Sequence, residues 1–363
     1  MADSNKKIER VLLVAPRLEP RGTSEYTLNL ARELKNCGVR VLVMCVPGPM
    51  LDSFSRQDIE VQTFNRLESW LFHVMERSTF VRSVREFSPQ VIHLQSTRVS
   101  RLVRVIRKNF DVPLLLTVHS QPESRFRFRR ISKQVQSIIA SSQAVRAAIV
   151  NECNVAKDKI SVIPNGIPVF EPNRVGADPI FSRSSVVVGS IGPVEEERGH
   201  ELFVQAAAKL VKKGSHRQFV VAGEGAELPR LRELVRESGL QEYVTFVGGF
   251  SEYEEILDAV DVAVQSSLVD VSGFSILEAM GHGRPVVAFN TGTACEIIED
   301  QNTGRLVAKG DVGALASAIE EVTSDKEKAR QMGTEARQRV MERFNIQTIA
   351  RDTLDLYGQL AAT

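Results

Sequence analysis

The sequence lacks an apolar run long enough to cross a membrane. The first apolar stretch, residues 11–15, is far shorter than the ~20 residues that a spanning helix needs. The residues around it also lack the shape of a cleavable signal. We therefore expect a cytoplasmic protein with no membrane-spanning helix.

Aromatic residues and cysteines are scarce as well. Aromatic residues make up 6% of the chain, with a single tryptophan, which gives no sign of a stacking platform for carbohydrate. The four cysteines, which include no C-x-x-C pair, are Cys37, Cys45, Cys153 and Cys295. Neither a disulfide framework nor a thiolate metal site is indicated. Because the sequence also lacks a D-x-D pair and any His/Cys/Asp cluster at metal-ligand spacing, we predict chemistry that needs no metal.

Charge is divided unevenly between the two halves of the chain. The net charge of the 363 residues is +1, but residues 1–175 carry net +11 and the remaining residues net −10. This length exceeds one ordinary core of ~100–200 residues, so two domains are expected. The periodic pattern is interrupted by Pro168, Pro172, Gly176 and Pro179. We therefore predict a first domain over residues 1–172 and a second over residues 178–345.

Both halves alternate short apolar runs with amphipathic stretches, which is typical of buried parallel strands and their crossover helices. The strands predicted in the first half are 11–15, 41–46, 91–94, 114–118, 137–140 and 161–163. Those predicted in the second half are 186–191, 218–222, 244–247, 262–265 and 285–288. The pattern predicts an α/β fold of two doubly wound, Rossmann-like domains. Ligands bind beyond the carboxyl ends of strands in such sheets, so we expect a site in a cleft between two facing domains.

The segment 270–288 holds the most informative pattern. Asp270 and Glu278 lie eight residues apart around a turn at Gly273 that opens an apolar helix, and an apolar strand follows. The turn and the helix N-terminus would offer backbone N–H groups to a diphosphate. A carboxylate a little over two turns into the helix would accept hydrogen bonds from sugar hydroxyls. A nucleotide sugar carries both groups.

Seven segments in register resemble the large retaining family of GT-B glycosyltransferases usually numbered family 4. They are 20–25, 91–95, 117–119, 163–167, 192–199, 270–278, and Gly292 with Glu296. The resemblance covers nearly the whole chain. It implies that a hexose-type sugar moves from a nucleotide-diphosphate sugar to an acceptor, with retention at the anomeric carbon and no cofactor beyond the donor. It also implies an acceptor-side first domain on which the last helix, 346–363, packs back, and a second domain that binds the nucleotide sugar.

Site residues are carried over from the same resemblance. The donor-binding residues that it implies are Gly22, Thr23, Arg198, Gly273, Phe274, Ser275 and Glu278. The catalytic residues that it implies are His119, Arg198 and Asp270. In these roles Glu278 contacts the ribose, Asp270 and His119 orient the transferred sugar, and Arg198 neutralises the departing diphosphate.

Three positions depart from the family pattern. Asp270 stands where the family has Glu, Pro193 where it has Arg, and Thr23 where it has a second glycine, while the family Lys before the last glycine of 192–199 is replaced by another cation, Arg198. Arg198 can hold phosphate oxygens in a bidentate manner. The departing diphosphate is thus assigned one cation, Arg198, where the family pattern has two.

Plain structural alternatives stay open for these residues. Taken alone, Asp270 and Glu278 would be a loop cap and a solvated helix charge. Arg198 would be a surface charge paired to a neighbouring glutamate, and His119 a satisfied histidine at a strand end. His93 lies in the matching segment 91–95, and we interpret it as a structural residue. The run 223–225 resembles part of a dinucleotide fingerprint but lacks the third glycine, which argues against a dehydrogenase.

The segment 98–133 is strongly basic, with ten Lys or Arg and two acids. Arg98, Arg101, Arg104 and Arg107 recur every third residue on one predicted helix, and 125–130 interleaves Arg with Phe. This pattern favours a glycan or lipid-linked acceptor with negative charge, or peripheral contact with an anionic membrane at its cytoplasmic face. A solvated basic face is the alternative. No recognition motif for nucleic acid accompanies the charge.

Two functions from different classes remain after this reasoning. The first is an active retaining glycosyltransferase. The second is a non-catalytic relative that binds a nucleotide sugar or glycan, which Pro193, Thr23 and Asp270 keep open. A sugar-nucleotide 2-epimerase, which has a similar two-domain fold, is a third and more remote alternative. The sequence does not indicate the oligomeric state.

Overall fold

The computed structural model describes residues 6–20, 22–69, 71–122, 124–168, 185–214, 216–248, 253–269 and 272–362. The chain divides into two compact units, Met1–Pro168 with Asn345–Thr363 and Val169–Phe344. The domain boundary predicted at 172–178 lies outside the described residues. Within the described part, no helix is long and apolar enough to cross a membrane.

The first unit is a parallel sheet flanked by helices. Its strands are β1 (Arg10–Arg17), β2 (Arg40–Val46), β3 (Glu60–Thr63), β4 (Val91–Leu94), β5 (Leu114–Val118), β6 (Ser137–Ala140) and β7 (Ile160–Val162). Its first helices are α1 (Thr23–Asn36), α2 (Leu51–Arg56), α3 (Phe72–Met75), α4 (Arg77–Phe87), α5 (Leu102–Asn109), α6 (Arg125–Ser132) and α7 (Gln143–Cys153). The strand order is β3-β2-β1-β4-β5-β6-β7.

The second unit has the same architecture. Its strands are β8 (Val187–Ile191), β9 (Gln218–Ala222), β10 (Val244–Val247), β11 (Val262–Gln265), β12 (Val286–Phe289) and β13 (Gly304–Val307). Its helices are α8 (His200–Lys212), α9 (Leu228–Glu237), α10 (Tyr253–Ala259), α11 (Phe274–Gly281), α12 (Gly292–Ile297), α13 (Val312–Ser324) and α14 (Lys326–Arg343). The strand order is β10-β9-β8-β11-β12-β13.

Both sheets are buried because their inner strands are apolar on both faces. β4, β5 and β6 are buried at every position, and so are β8 and β11. Parallel strands covered by crossover helices on both faces need apolar residues at nearly every position. These continuous apolar runs allowed the strands to be predicted from the sequence. The predicted α/β class with two doubly wound, Rossmann-like domains is confirmed.

The last helix, α15 (Ile346–Ala362), belongs to the first unit and packs on α1. Asn345, just before it, pairs with Ile167 in an isolated parallel bridge. Gly166 lies against the start of the helix, where a Cβ would be 2.8 Å from Ile349 Cγ1. A glycine next to Ile167 thus lets the backbone approach α15 closely.

Two strands and one helix differ from the sequence-based expectations. The edge strands β3 and β13 were not predicted, since their central residues are only half-buried and they form no continuous apolar run. The predicted single helix through Arg98 and Arg107 is also wrong. Thr97–Val99 forms a 3-10 helix, and α5 starts only at Leu102.

Candidate functional site

The strand order of the second unit reverses between β8 and β11. The strands β9 and β10 lie on one side of this pair, and β12 and β13 lie on the other. In open α/β sheets the loops at such a switch point diverge and leave a crevice for a ligand. The predicted residues Arg198, Gly273, Phe274 and Ser275 follow these two strands, and Glu278 lies within α11.

The loop after β8 packs closely on the loop after β9. The Gly192 N–H donates to Ala222 O at 2.9 Å, and the Val194 N–H donates to Glu224 O at 2.8 Å. Gly223 has a φ of +146°, and a Cβ on it would lie 1.9 Å from Gly192 O. Gly223 is therefore required by this backbone contact. The contact explains why part of a dinucleotide fingerprint occurs at 223–225 without the rest of that pattern.

Gly199 ends the same loop and precedes α8 without a side-chain cap. Its φ is +67°, and a Cβ on it would lie 2.0 Å from Ser266 O. The Ser266 hydroxyl donates to Gly199 O at 2.8 Å, and the Leu268 N–H donates to Glu197 O at 3.1 Å. The loop after β8 is thus fixed to the loop after β11 by contacts next to the N-terminus of α8.

His200 was not predicted as a site residue, but its side chain holds this loop in place through two hydrogen bonds. Its Nδ1 lies 2.9 Å from Ser190 Oγ and its Nε2 lies 3.1 Å from Pro193 O. Burial lowers the pKa of His200 to about 4, so the ring is neutral at pH 7. Because a carbonyl only accepts, Nε2–H donates to Pro193 O and Nδ1 accepts from Ser190. The only sign of this role in the sequence is that a histidine directly follows Gly199, the last glycine of the loop.

Arg198 is the last residue of the 3-10 helix Glu196–Arg198 and is half-buried. Its charge adds to the burial effect that lowers the pKa of His200. The guanidinium thus belongs to the loop that leads into the uncapped start of α8, where a positive side chain and a helix N-terminus act on an anion together.

α11 supplies the second helix N-terminus at the switch point. Gly273 precedes it with a φ of +75° and without a side-chain cap. Gln265, the last residue of β11, donates its amide to Ser275 Oγ at 2.8 Å. Phe274 is buried, as expected for the first residue of an apolar helix. The strand end and the helix start are therefore held together.

Glu278 is the fifth residue of α11, a little over one turn from the helix start. The expected two turns were wrong, because the helix begins at Phe274 rather than at the first carboxylate. Glu278 is 6% exposed. Carboxylates are rarely buried without a polar role. Asp270 lies outside the described residues.

In the first unit the corresponding switch point lies between β1 and β4. Gly22 follows β1, with φ 60° and ψ −129°, a backbone region that glycine alone occupies readily. Its carbonyl accepts from the Tyr26 N–H at 2.9 Å. Thr23 is the first residue of α1, which has no side-chain cap. The start of α1 therefore presents backbone N–H groups next to the strand end.

His119 follows β5 and is fully engaged inside the first unit. Its Nδ1 lies 2.7 Å from Asn165 Oδ1, and its Nε2 lies 3.1 Å from Gln95 O. The Tyr26 ring meets the His119 ring edge to face, with centroids 5.1 Å apart. Gly22 and His119 are thus connected through Tyr26, one turn along α1.

Burial lowers the pKa of His119 to about 4, so this ring is also neutral at pH 7. Nε2–H then donates to Gln95 O, and Nδ1 must accept. The Asn165 amide therefore turns its NH₂ toward Nδ1, since amide oxygen and nitrogen occupy the same shape. The Gln95 carbonyl therefore sets the tautomer of His119, and Asn165 holds the ring through Nδ1; neither role was predicted from the sequence.

The side chain of Gln95 is exceptional in this region. Gln95 is completely buried, and neither its Nε2 nor its Oε1 has a hydrogen-bond partner in the described part of the chain. An unpaired amide costs free energy, so such groups are rare in native structures and point to a ligand or water. This amide belongs to the loop after β4, at the switch point.

His93 has a purely internal environment. Its Nδ1 lies 2.5 Å from the Tyr357 hydroxyl of α15, and its Nε2 lies 2.6 Å from Thr117 Oγ1. Burial lowers the pKa of His93 to about 3. Nδ1 therefore ties the last helix to the sheet and Nε2 joins β4 to β5, which agrees with the structural interpretation of this residue.

Across the described ranges, no group of three or more His, Cys, Asp or Glu side chains could hold a metal ion. The predicted residues fall into two groups. Arg198 and the start of α11 are both attached to residues 265–268, and Gly22, Thr23 and His119 are connected around the start of α1.

Comparisons with known proteins agree with this architecture. The sequence matches the profile described as Glycosyltransferase Family 4 over residues 20–169. It matches the profile described as Glycosyl transferases group 1 over residues 180–339.

Two curated relatives span most of the chain. The glycogen synthase of Mycobacterium tuberculosis is 26% identical over 93% of this chain and 84% of its own. The 2-deoxystreptamine N-acetyl-D-glucosaminyltransferase of Streptomyces fradiae is 28% identical over 91% of this chain and 89% of its own.

Solved structures share the fold. A glycosyltransferase from Rickettsia africae superimposes with a TM-score of 0.84, at 21% identity over 97% of this chain and 98% of that chain. The Anabaena protein HepE, solved with UDP-glucose, superimposes with a TM-score of 0.81, at 21% identity over 94% of this chain and 97% of that chain. The two profiles, the full-length relatives and the shared fold establish that this chain belongs to the family 4 glycosyltransferases of GT-B fold.

Proposed function

We propose that this glycosyltransferase moves a hexose-type sugar from a nucleotide-diphosphate sugar to a glycan or lipid-linked acceptor, with retention at the anomeric carbon and without a bound metal. The observation that carries the proposal is the β8/β11 switch point. Two uncapped helix N-termini, Arg198 and the buried Glu278 all belong to the loops and helices that follow these two strands. Diphosphate and hydroxyl groups are the ligands that such an arrangement suits.

The donor diphosphate gains negative charge as the sugar leaves. In this proposal Arg198 and the first amides of α8 and α11 stabilise that charge without reorganising. Glu278 accepts from hydroxyls of the ribose. HepE was solved with UDP-glucose, which supports a donor of this class.

His119 orients the site in this proposal. Both of its nitrogens are bonded to protein groups, and the bond from Nε2 to Gln95 O, at 3.1 Å, is the longer one. A sugar hydroxyl reaches His119 by replacing that bond, while Asn165 keeps the ring in place. Asp270 was assigned to the same sugar by the family resemblance and keeps that proposed role.

Relatives act on different acceptors, as their names show. They include a glycogen synthase, a 2-deoxystreptamine transferase and a poly(ribitol-phosphate) transferase. In this chain the basic segment 98–133 carries the exposed Phe126, which is 81% exposed between two arginines. This supports peripheral contact with an anionic membrane and a lipid-linked acceptor.

The test is a transfer assay on a suitable acceptor, with the product followed by NMR. The anomeric signal shows retention, and the rate stays unchanged in EDTA. Arg198→Ala lowers kcat by about 10²–10³, as expected for the loss of one group that stabilises the leaving charge. Arg236→Ala, which removes the same charge from the exposed face of α9, leaves kcat unchanged. An inverted product, or full activity in Arg198→Ala, would overturn the proposal.

A further inference from the structure

Four arginines converge on a small cavity between the start of α5 and the length of α6. The cavity has a volume of about 240 Å³, and its polar lining consists of Ser100, Arg101, Arg104, Arg127, Arg130 and Gln134. We call it the arginine pocket. We propose that the arginine pocket binds a phosphate group of a ligand other than the sugar donor.

The basic segment contains two kinds of arginine. Arg98 pairs with Glu68 at 2.9 Å, and Arg125 pairs with Glu152 at 2.8 Å. Arg107 donates to the carbonyl of Gln134 at 2.7 Å. These three side chains are satisfied by the protein itself and need no ligand.

The four arginines of the pocket are different. None of their guanidinium groups forms a hydrogen bond or ion pair within the described residues, and all four residues are exposed. Like charges that share one cavity repel, although water screens part of this repulsion because the four side chains are exposed. A fold that keeps four cations together without an acid gains stability when an anion enters.

Ser100 provides an independent indication. It lines the pocket and is only 4% exposed, yet its Oγ has no hydrogen-bond partner within the described part of the chain. A buried hydroxyl left unpaired costs free energy. A phosphate oxygen accepts such a bond, in the same way as it accepts from guanidinium N–H groups.

Size selects the ligand group. A pocket for a whole drug-sized ligand occupies about 300–1,000 Å³, so the arginine pocket is too small for a nucleotide sugar. It fits one phosphate, which planar guanidinium groups bind in a bidentate manner. The phosphate has two possible sources, a lipid headgroup or a soluble phosphorylated molecule, and both offer the same chemistry.

The test measures binding of inorganic phosphate to the full chain by calorimetry, and binding of vesicles by sedimentation. The vesicles contain phosphatidylcholine with or without phosphatidylglycerol. The pocket pair Arg104→Gln/Arg127→Gln weakens phosphate binding by about ten-fold or more, since each charged hydrogen bond contributes strongly. Ser100→Ala also weakens it, with no change in net charge.

The matched control is Arg98→Gln/Arg125→Gln, which removes two charges from the same segment but outside the pocket. This control keeps the affinity of the wild type within about two-fold. Because the readout is binding rather than transfer, the result does not depend on the proposed reaction.

The vesicle experiment identifies the molecule that carries the phosphate group. If phosphatidylglycerol vesicles bind the wild type, release it when phosphate is added, and fail to bind the pocket pair, the ligand is a lipid headgroup. If phosphate binds but vesicles do not, the ligand is a soluble phosphorylated molecule. Equal weakening by the pocket pair and the control pair would show a diffuse basic face, and absence of phosphate binding to the wild type would also overturn the proposal.

Discussion

Asn165→Asp tests how the protein keeps His119 neutral. The substitution preserves shape and places a carboxylate oxygen at the position of the Asn165 amide atom that lies 2.7 Å from His119 Nδ1. Burial holds the pKa of His119 at about 4 in the wild type. A nearby opposite charge raises a histidine pKa by about 1–3 units. We therefore expect His119 to titrate at about 5–7 in the variant, with the introduced carboxylate as its partner.

The same change alters the pH dependence of stability. In the wild type the pKa of His119 is lower in the folded state, about 4, than in the unfolded state, where it has its usual value of 6.5. The unfolded chain then binds the extra proton first, so stability is complete above pH 6.5 and is lost as the pH falls toward 4. Between pH 8 and pH 5 the loss from His119 is about 2 kcal/mol. In Asn165→Asp this loss shrinks because the folded state also accepts the proton.

Two measurements check this prediction. Histidine ring signals followed by NMR against pH give the pKa of His119 directly, and urea unfolding at pH 8 and pH 5 gives the stability difference. Asn154→Asp is the control, because Asn154 is exposed at the end of α7 and the substitution adds the same charge to the same unit. The reasoning is refuted if His119 titrates near 6.5 in the wild type, or if its pKa stays near 4 in Asn165→Asp.

Three further substitutions follow from the geometry. Gly199→Ala forces a Cβ to 2.0 Å from Ser266 O, so we expect a loss of more than 1 kcal/mol in unfolding free energy and of nucleotide binding; unchanged unfolding and calorimetry would contradict the loop contact. Gln95→Leu removes an unpaired buried amide, so it raises the unfolding free energy by about 1–3 kcal/mol without ligand; a destabilised variant would contradict this expectation. Tyr357→Phe leaves His93 Nδ1 unpaired at a buried site and costs about 1–3 kcal/mol, or roughly 2–12 °C in the melting temperature of the unit; an unchanged melting temperature would contradict the link between α15 and the sheet.

The inner strands could be predicted because each one is a local apolar run. β4, β5 and β6 were predicted with the bounds that the structure has, and these strands are buried at every position. β3 and β13 could not be predicted in this way. They are edge strands, and the sheet rather than their own composition keeps them extended.

The site could be predicted only in part, for a similar reason. Gly273 was predicted because a glycine before a helix marks a local backbone requirement. The partner of His119 is Asn165, 46 residues away, and the two meet only because β5 and the loop after β7 lie near each other in the sheet. His200 was missed because its role depends on burial and on the carbonyl of Pro193, neither of which a sequence displays.

The basic segment illustrates the same limit. Its charge was evident, but the division into paired and unpaired arginines depends on Glu68 and Glu152, which come from other parts of the chain. The regular spacing suggested one helix with one charged face. The break before α5 instead places Ser100 at the wall of the arginine pocket.

The central claim is that the second unit binds a nucleotide-diphosphate sugar at the β8/β11 switch point. The most direct test is thermal unfolding of the wild type, Glu278→Gln and the exposed control Glu342→Gln with UDP, GDP, ADP and their common sugar conjugates. A ligand at 100 times its Kd stabilises the folded state by ~2.7 kcal/mol. We predict that one nucleotide class raises the melting temperature of the wild type and the control but not of Glu278→Gln. If no nucleotide stabilises the wild type, or if Glu278→Gln responds as the wild type does, the claim is contradicted.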